Sequence, residues 1–185
     1  VKKFDEVLRR EREAYKIVVF DDGSADRTAA VAEGLAKQYP MEVLRHEKNK
    51  GLGETMKDGL SHLMRIIGDD DVVVTLDCDD THEPQFLPAA VKKLRSGYDL
   101  VILSRFCEGG GQEGLSATRT FLSQGAAFFL KFFFPISGVK EYSCNYRVFQ
   151  GSILKKADQI FGKDFIRLAS MGFVVTPEIL VKMRM

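Results

Sequence analysis

Two short acidic segments hold the residues of this sequence that are best suited to chemistry. The first reads Asp21-Asp22-Gly23-Ser24 and the second reads Asp77-Cys78-Asp79-Asp80. Clustered carboxylates repel one another unless a positive charge lies between them, and their hard oxygen ligands suit Mg²⁺ or Mn²⁺. Asp77 and Asp79 are two residues apart, which allows both to face one ion. The sequence therefore predicts a divalent metal site at Asp77 and Asp79.

A metal ion at that site would be able to bridge a diphosphate and neutralise the charge on a leaving nucleotide. Each segment alone also has a simpler explanation, because Asp, Gly and Ser favour turns. The glycine-rich stretch at residues 49–55 is open to two readings as well. It either presents backbone N–H groups to a phosphate or is a flexible turn before a helix.

The elements that must position these residues alternate along the chain. Apolar runs predict strands at residues 16–21, 41–45, 72–77, 99–103 and 145–149. Helical periodicity and helix-starting residues predict helices at 26–38, 53–67, 84–96, 118–134 and 153–160. This order predicts an α/β fold of three layers, α/β/α, with a mostly parallel central sheet. Ligands bind at the carboxyl ends of strands in such sheets, where both acidic segments and Arg105 fall.

The composition is typical of one globular domain over residues 1–185, with 45% apolar and 29% charged residues. A formal net charge of +1 without a basic stripe argues against nucleic-acid binding. Cys78, Cys107 and Cys144 form no CxxC pair, which favours reduced thiols in a cytosolic setting. Both ends of the sequence fall inside helical patterns, so we expect a catalytic domain truncated at each end.

The ordered set of motifs resembles the family 2 glycosyltransferases of the GT-A fold. The set reads VVFDDGSADRT, NKGLGETMKDGL, VVVTLDCDDTHEP and DLVILSRF, in this order and spacing. The stretch from Arg119 to Ser123, followed by GVKEYSCNYR at residues 138–147, is similar to the dolichol-phosphate mannosyltransferase branch. The resemblance extends over nearly the whole chain, and the ordered set is more specific than any one motif.

The resemblance implies a nucleotide-diphospho-sugar transferase that inverts the anomeric carbon. Its donor would be GDP-mannose or UDP-glucose, and its acceptor a polyprenyl or dolichyl phosphate. Such an acceptor is already an anion at neutral pH, so catalysis would rest on positioning and on metal stabilisation of the leaving group.

The resemblance also implies roles for individual residues. The nucleotide's base and ribose would face Asp21 and Asp22, and the acceptor phosphate would lie near Arg119, Ser123 and Arg147. The residues implied to be catalytic are Asp79, Arg119 and Arg147. Those implied to bind the donor or the acceptor are Asp21, Asp22, Gly23, Ser24, Asp77, Arg105 and Ser123, and those implied to bind the metal are Asp77 and Asp79.

The sequence departs from the family at several places. The family's first strand, with its proline and its Tyr-Asn-Glu element, is absent from the sequence. In the branch, Asp usually stands where Glu141 is, Gly where Asn145 is, and often Gln where Thr81 is. Thr81 therefore replaces a possible metal ligand.

Two alternatives remain open at this point. Asp77-Cys78-Asp79-Asp80-Thr81 also fits the DxDxT signature of haloacid-dehalogenase-type phosphatases, in which Asp77 would be the nucleophile, although two strand–helix units precede it. The second alternative is a catalytically inactive homologue that binds a nucleotide sugar.

A cluster of phenylalanines has two interpretations. Its members are Phe128, Phe129, Phe132, Phe133 and Phe134. They belong either to a core helix or to a helix that lies partly in a bilayer interface, where a lipid phosphate acceptor is found. With the second interpretation, we expect the protein to be peripheral or anchored at the cytoplasmic face of a membrane.

Overall fold

The helices and strands of the computed structural model follow the alternation seen in the sequence. The structure describes residues 1–107, 110–111, 125 and 129–184. The helices are α1 (Lys2–Arg10), α2 (Thr28–Ala36), α3 (Leu52–Ile66), α4 (Leu87–Arg95), α5 (Gly151–Phe161) and α6 (Val175–Arg184). The strands are β1 (Ile17–Asp21), β2 (Met41–Arg45), β3 (Val72–Thr75), β4 (Leu100–Ile102) and β5 (Arg147–Gln150). The helix predicted at 118–134 falls mostly outside the described residues. Within the described part of that range, residues 129–133 are helical.

The described strands form two sheets. β1 and β2 pair in parallel, from Ile17 opposite Met41 to Asp21 opposite Arg45. β5 lies between β3 and β4 and runs antiparallel to both, so β3 and β4 point the same way. The predicted α/β alternation is confirmed, and β5, which is antiparallel to both of its neighbours, is the strand that departs from the predicted, mostly parallel order.

The core lies on both faces of β5, because successive residues of a strand point to opposite sides. Val148, which is fully buried, packs on one face with the apolar side of α4. Phe149 packs on the other face against residues of α3, α5 and α6. Each buried Val, Leu or Phe side chain contributes about 1.5–3 kcal/mol to folding. The sheet therefore has helices on both sides, which is the predicted three-layer arrangement.

Gly53, in the first turn of α3, lies against the backbone of residue 169. A Cβ atom at Gly53 would be 1.9 Å from the carbonyl oxygen of Ala169. Gly53→Ala is therefore expected to lower the free energy of unfolding by about 1–3 kcal/mol, since the backbone must shift. Gly34→Ala is the matched control, because nothing lies within 4 Å of its Cβ position in α2. That variant is expected to gain about 0.5–1 kcal/mol.

Urea unfolding of the two variants measures both changes. A Gly53→Ala protein as stable as the Gly34→Ala protein would contradict the close packing of α3 on residue 169.

Candidate functional site

The carboxyl end of β1 is held by its neighbour β2. Asp21, the last residue of β1, is buried, and its Oδ1 accepts a hydrogen bond from the backbone N–H of Ser24 at 3.1 Å. Arg45 Nε lies 2.9 Å from Asp21 Oδ2, close enough for an ion pair but not aligned for a hydrogen bond. Arg45 also donates to the carbonyl of Ser24 at 3.0 Å. Asp21 therefore fixes the turn that follows β1.

Asp22 joins this turn to the glycine-rich stretch before α3. Its carboxylate accepts hydrogen bonds from the backbone N–H groups of Lys50 and Gly51, at 2.9 and 2.8 Å. Burial alone would raise the pKa of Asp22, but hydrogen bonds from His46, Lys50 and Gly51 outweigh burial and lower it. A carboxylate that accepts several such bonds stays ionised at neutral pH.

Gly23 lets the two segments touch. Its φ is +66°, and a Cβ atom there would be 2.6 Å from the carbonyl carbon of Lys48 and 2.7 Å from the nitrogen of Asn49. Only glycine can adopt this angle and allow this approach without strain. The structure thus brings the first acidic segment and the glycine-rich stretch together in one unit.

The second acidic segment follows β3 and is supported from two sides. Asp77 Oδ1 accepts a hydrogen bond from Asn145 Nδ2 at 3.0 Å. The backbone N–H of Asp77 donates to His82 Nδ1 at 3.1 Å, and the His82 ring stacks on Tyr146 with centroids 4.9 Å apart. The carboxylate of Asp77 remains partly exposed to solvent. Asp77 is therefore oriented by its neighbours and still open to a ligand.

Asp79 is held within its own turn. Its Oδ1 accepts hydrogen bonds from the hydroxyl and the backbone N–H of Thr81, at 2.6 and 3.1 Å. The hydroxyl of Thr81 is the main cause that lowers the pKa of Asp79. Thr81, a departure from the family pattern, thus stabilises the ionised form of this carboxylate.

The chemistry of these two carboxylates suits a metal ion whose coordination is completed by the substrate. Within residues 1–107, 110–111, 125 and 129–184, no group of three or more His, Cys, Asp or Glu side chains converges to hold a metal. Mg²⁺ is usually bound through one or two carboxylates together with substrate phosphates and water, and not in a cage made by the protein alone. Asp77 and Asp79 are carboxylates of the kind that such an arrangement uses, and their role as metal ligands stays a prediction.

Arg105 follows β4 and pairs with a buried carboxylate. One guanidinium nitrogen of Arg105 lies 2.7 Å from Glu141 Oε1, and Glu141 is 2% exposed. Glu141 Oε2 accepts hydrogen bonds from the Ser104 hydroxyl at 3.0 Å and the Arg105 backbone N–H at 3.2 Å. Among the described residues, Arg105 Nε is buried without a hydrogen-bond partner.

Arg147 faces the interior of the protein. Its guanidinium is 1% exposed and donates to the backbone carbonyls of Tyr142, Cys144 and Thr176, each at 2.7 Å. Burial lowers the pKa of Arg147 to about 10, so it stays protonated at neutral pH. Arg147 links β5 to the 142–144 segment and to α6, and its role with an acceptor phosphate stays a prediction. Arg119 and Ser123 lie outside the described residues.

Comparison with known proteins decides the family. Residues 2–158 match the model of Glycosyl transferase family 2. The chain belongs to this family. Family 2 glycosyltransferases have the GT-A fold, so the predicted fold class is confirmed.

Two relatives of this family 2 chain carry related names. It is 30% identical over 169 residues to a dolichol-phosphate mannosyltransferase of Pyrococcus furiosus, covering 91% of this chain and 44% of that protein. It is 31% identical over 144 residues to a polyprenol monophosphomannose synthase of Mycolicibacterium smegmatis, covering 77% of this chain and 53% of that protein. The chain spans about half the length of these curated relatives.

The phenylalanine cluster of this family 2 chain lies on the surface. Phe129, Phe132, Phe133 and Phe134 are between 44% and 70% exposed, and Phe128 falls outside the described residues. Among the residues with a described position, none of the helices has both the length and the apolar character needed to cross a bilayer.

Sequence reasoning missed three residues of this site. His46 contacts Asp22, Asn145 orients Asp77, and Glu141 holds Arg105. Asn145 and Glu141 attracted attention only as departures from the family pattern. The sequence does hold a signal for His46, which directly follows the strand predicted at 41–45, as Asp22 follows the strand predicted at 16–21. The parallel register places Arg45 opposite Asp21 and so brings His46 and Asp22 side by side.

Proposed function

We propose that this chain is the catalytic part of a glycosyltransferase that moves mannose from a nucleotide-diphosphate sugar to a polyprenyl phosphate. The observation that carries the proposal is the pair Asp77 and Asp79, each held by hydrogen bonds after β3 in a chain of this family. The names of the two relatives favour mannose, so GDP-mannose is the first donor to test and UDP-glucose the second.

The unit formed by residues 21–24 and 48–51 suits the nucleotide end of the donor. Asp21 and Asp22 fix its backbone, because their carboxylates accept hydrogen bonds from the N–H groups of Ser24, Lys50 and Gly51. We therefore assign Asp22 the task of shaping the surface that meets the base and ribose. Gly23 and Ser24 form the turn that follows Asp21 and Asp22, and this turn is part of the surface assigned to the base and ribose.

The diphosphate end of the donor would lie at Asp77 and Asp79. Mg²⁺ or Mn²⁺ bound there would offset the negative charge that develops on the leaving nucleoside diphosphate. Asn145 donates to the Asp77 carboxylate, His82 accepts from the Asp77 backbone N–H, and Thr81 donates to the Asp79 carboxylate. Little reorganisation is then required of these groups during the reaction.

The acceptor phosphate would lie near Arg105. A guanidinium can form two parallel hydrogen bonds to one phosphate, and the Arg105 side chain after β4 is 31% exposed. Glu141 holds one nitrogen of the guanidinium at 2.7 Å and so fixes the position of the side chain. Arg119 and Ser123, which match acceptor positions by resemblance, are further candidates for this phosphate.

A lipid acceptor places the reaction at a membrane surface. The exposed Phe129, Phe133 and Phe134 provide apolar side chains that can enter the headgroup region of a bilayer. We propose peripheral attachment or anchoring at the cytoplasmic face, through this surface or through other parts of the protein.

The test is a transfer assay on vesicles that carry polyprenyl phosphate. We expect labelled mannose to pass from GDP-mannose to the lipid with Mn²⁺ or Mg²⁺, to remain on the donor with EDTA, and the protein to sediment with the vesicles. A nucleotide at a hundred times its dissociation constant should also stabilise the fold by about 2.7 kcal/mol.

Three results would contradict the proposal. Transfer of glucose from UDP-glucose alone would make the enzyme a glucosyltransferase. A phosphorylated Asp77 with release of inorganic phosphate would revive the phosphatase alternative. Nucleotide binding without transfer from either donor would indicate an inactive homologue.

A further inference from the structure

His46 lies between two carboxylates at the edge of the proposed nucleotide site. It directly follows β2, and its backbone N–H donates to the carbonyl of Asp21 at 2.9 Å. The ring is only 7% exposed and packs edge-on against Phe20, with centroids 4.7 Å apart. A buried ring with polar partners on both sides is fixed in one orientation.

Both ring nitrogens of His46 contact acceptors. Nδ1 lies 2.7 Å from Asp22 Oδ1, and Nε2 lies 2.9 Å from Asp58 Oδ2 in α3. A neutral imidazole has one donor and one acceptor nitrogen, so one of these contacts would oppose a lone pair to a carboxylate. An imidazolium donates at both nitrogens. The arrangement of the two carboxylates therefore fits the protonated ring.

The contacts of Asp22 extend the effect of His46 to the loop before α3. The Asp22 oxygen that faces His46 also accepts the N–H of Lys50, and the other oxygen accepts the N–H of Gly51. Asp58 anchors the far side of the ring to α3. The ring thus joins β1, the loop and α3 at one point.

We propose that His46, as an imidazolium, is a positioning residue that sets the backbone of residues 48–51 for the nucleotide through Asp22. This inference rests on the proposed function, because it assigns a role within the same site. His46 does not touch the reacting atoms in this assignment.

The charges around His46 give the role a dependence on pH. The hydrogen bond with Asp22 raises the pKa of His46, burial lowers it, Asp58 raises it, and Lys50 lowers it, with a net rise. These are the titratable groups that face the ring from β1, α3 and the loop within the described residues. Since the folded-state pKa lies above that of an unfolded histidine, near 6.5, the contribution is complete below about pH 6.5. It is lost as the pH rises through the folded-state pKa.

The experiment compares His46→Gln with the matched control His62→Gln. His62 is a second histidine near one carboxylate, with Nε2 3.4 Å from Glu42, but it does not contact the site. Two quantities are measured from roughly pH 6 to pH 9, a range that includes the raised pKa of His46, and His46→Gln controls for the other groups that titrate there. They are the exchange protection of the Lys50 and Gly51 amides, corrected for the intrinsic rate, and the dissociation constants of GDP and UDP.

We expect His46→Gln to reduce both amide protection and nucleotide affinity about tenfold, which corresponds to 1.4 kcal/mol. The wild type should show the same losses as the pH rises, and His46→Gln should show no such dependence. The donor KM should rise while kcat at saturating donor stays close to that of the wild type. Asp58→Asn keeps the ring in place but removes one negative charge. The midpoint of the pH-dependent loss of amide protection should therefore lie at a lower pH in this variant than in the wild type.

Other outcomes overturn the inference. If His46→Gln lowers only the melting temperature, with unchanged amide protection and nucleotide affinity, His46 is a packing residue. If His46→Gln does not fold, Asp58→Asn decides instead. An Asp58→Asn protein whose amide protection falls at the same pH as in the wild type would also show that His46 is a packing residue. If the wild type binds neither GDP nor UDP, the proposed function fails, while the amide protection without ligand still decides whether His46 sets the loop.

Discussion

Replacing Asp77 with asparagine is expected to slow sugar transfer by about 10²- to 10³-fold, the usual cost of removing one group that stabilises developing charge. The substitution keeps the size of the side chain and a partner for Asn145, but it removes a negative charge from the proposed metal and diphosphate site. The loss should appear in kcat, because the charge on the leaving group is greatest in the transition state. It should also remove the dependence of nucleotide binding on Mn²⁺.

The matched control is Asp80→Asn, three residues further along the same turn. Asp80 is exposed, has a φ of +60°, and pairs with Lys3 at 2.8 Å. Asparagine tolerates this backbone conformation, so the substitution tests only the loss of an exposed charge. Initial rates for both variants should separate by two orders of magnitude or more. Equal rates would show that Asp77 has no special place in the reaction.

Arg147→Ala is expected to lower the free energy of unfolding by about 3–5 kcal/mol. Three buried carbonyls would lose their donor, and each unsatisfied group costs about 1–3 kcal/mol before the structure relaxes. Arg147→Lys keeps the charge but cannot reach all three carbonyls, so its loss should be smaller. Urea unfolding with a common slope measures both differences.

Arg95→Ala is the control for this experiment. Arg95 is an exposed arginine paired with Glu13, and removing such a pair costs about 1 kcal/mol or less. The experiment also decides the role that the resemblance implies for Arg147. A stable Arg147→Ala protein with weakened binding of polyprenyl phosphate would favour contact with the acceptor over the structural role.

Local patterns were enough to predict the elements that lead to the site. The strand predicted at residues 41–45 is β2, and the helix predicted at 53–67 is α3 within one residue at each end. Apolar runs and helical periodicity identify such elements because one face or both faces of each must be buried. The predicted end of β1 at Asp21 is observed, whereas β3 ends at Thr75 and leaves Asp77, the predicted end of that strand, in the segment that follows.

The pairing of β5 was beyond local patterns. Its predicted bounds were 145–149 and the observed bounds are Arg147–Gln150, with the opposite direction to β3 and β4. Alternation within a strand does not record which way the neighbouring strands run, since that depends on contacts far away in the sequence. Arg147 illustrates the consequence, because its three carbonyl partners lie at residues that no local pattern connects.

The position of β5 also imposes an order on folding. β1 and β2 are parallel strands joined by a crossover that contains α2. They can pair once residue 45 has left the ribosome. Among the described residues, β5 is the partner of both β3 and β4, so neither strand can pair in this sheet until residues 147–150 emerge. Non-local pairing of this kind is slow, and unpaired strand edges invite association with other chains. On the ribosome, the sheet that carries Asp77 and Arg105 therefore closes late, and the growing chain exposes those edges until β5 arrives.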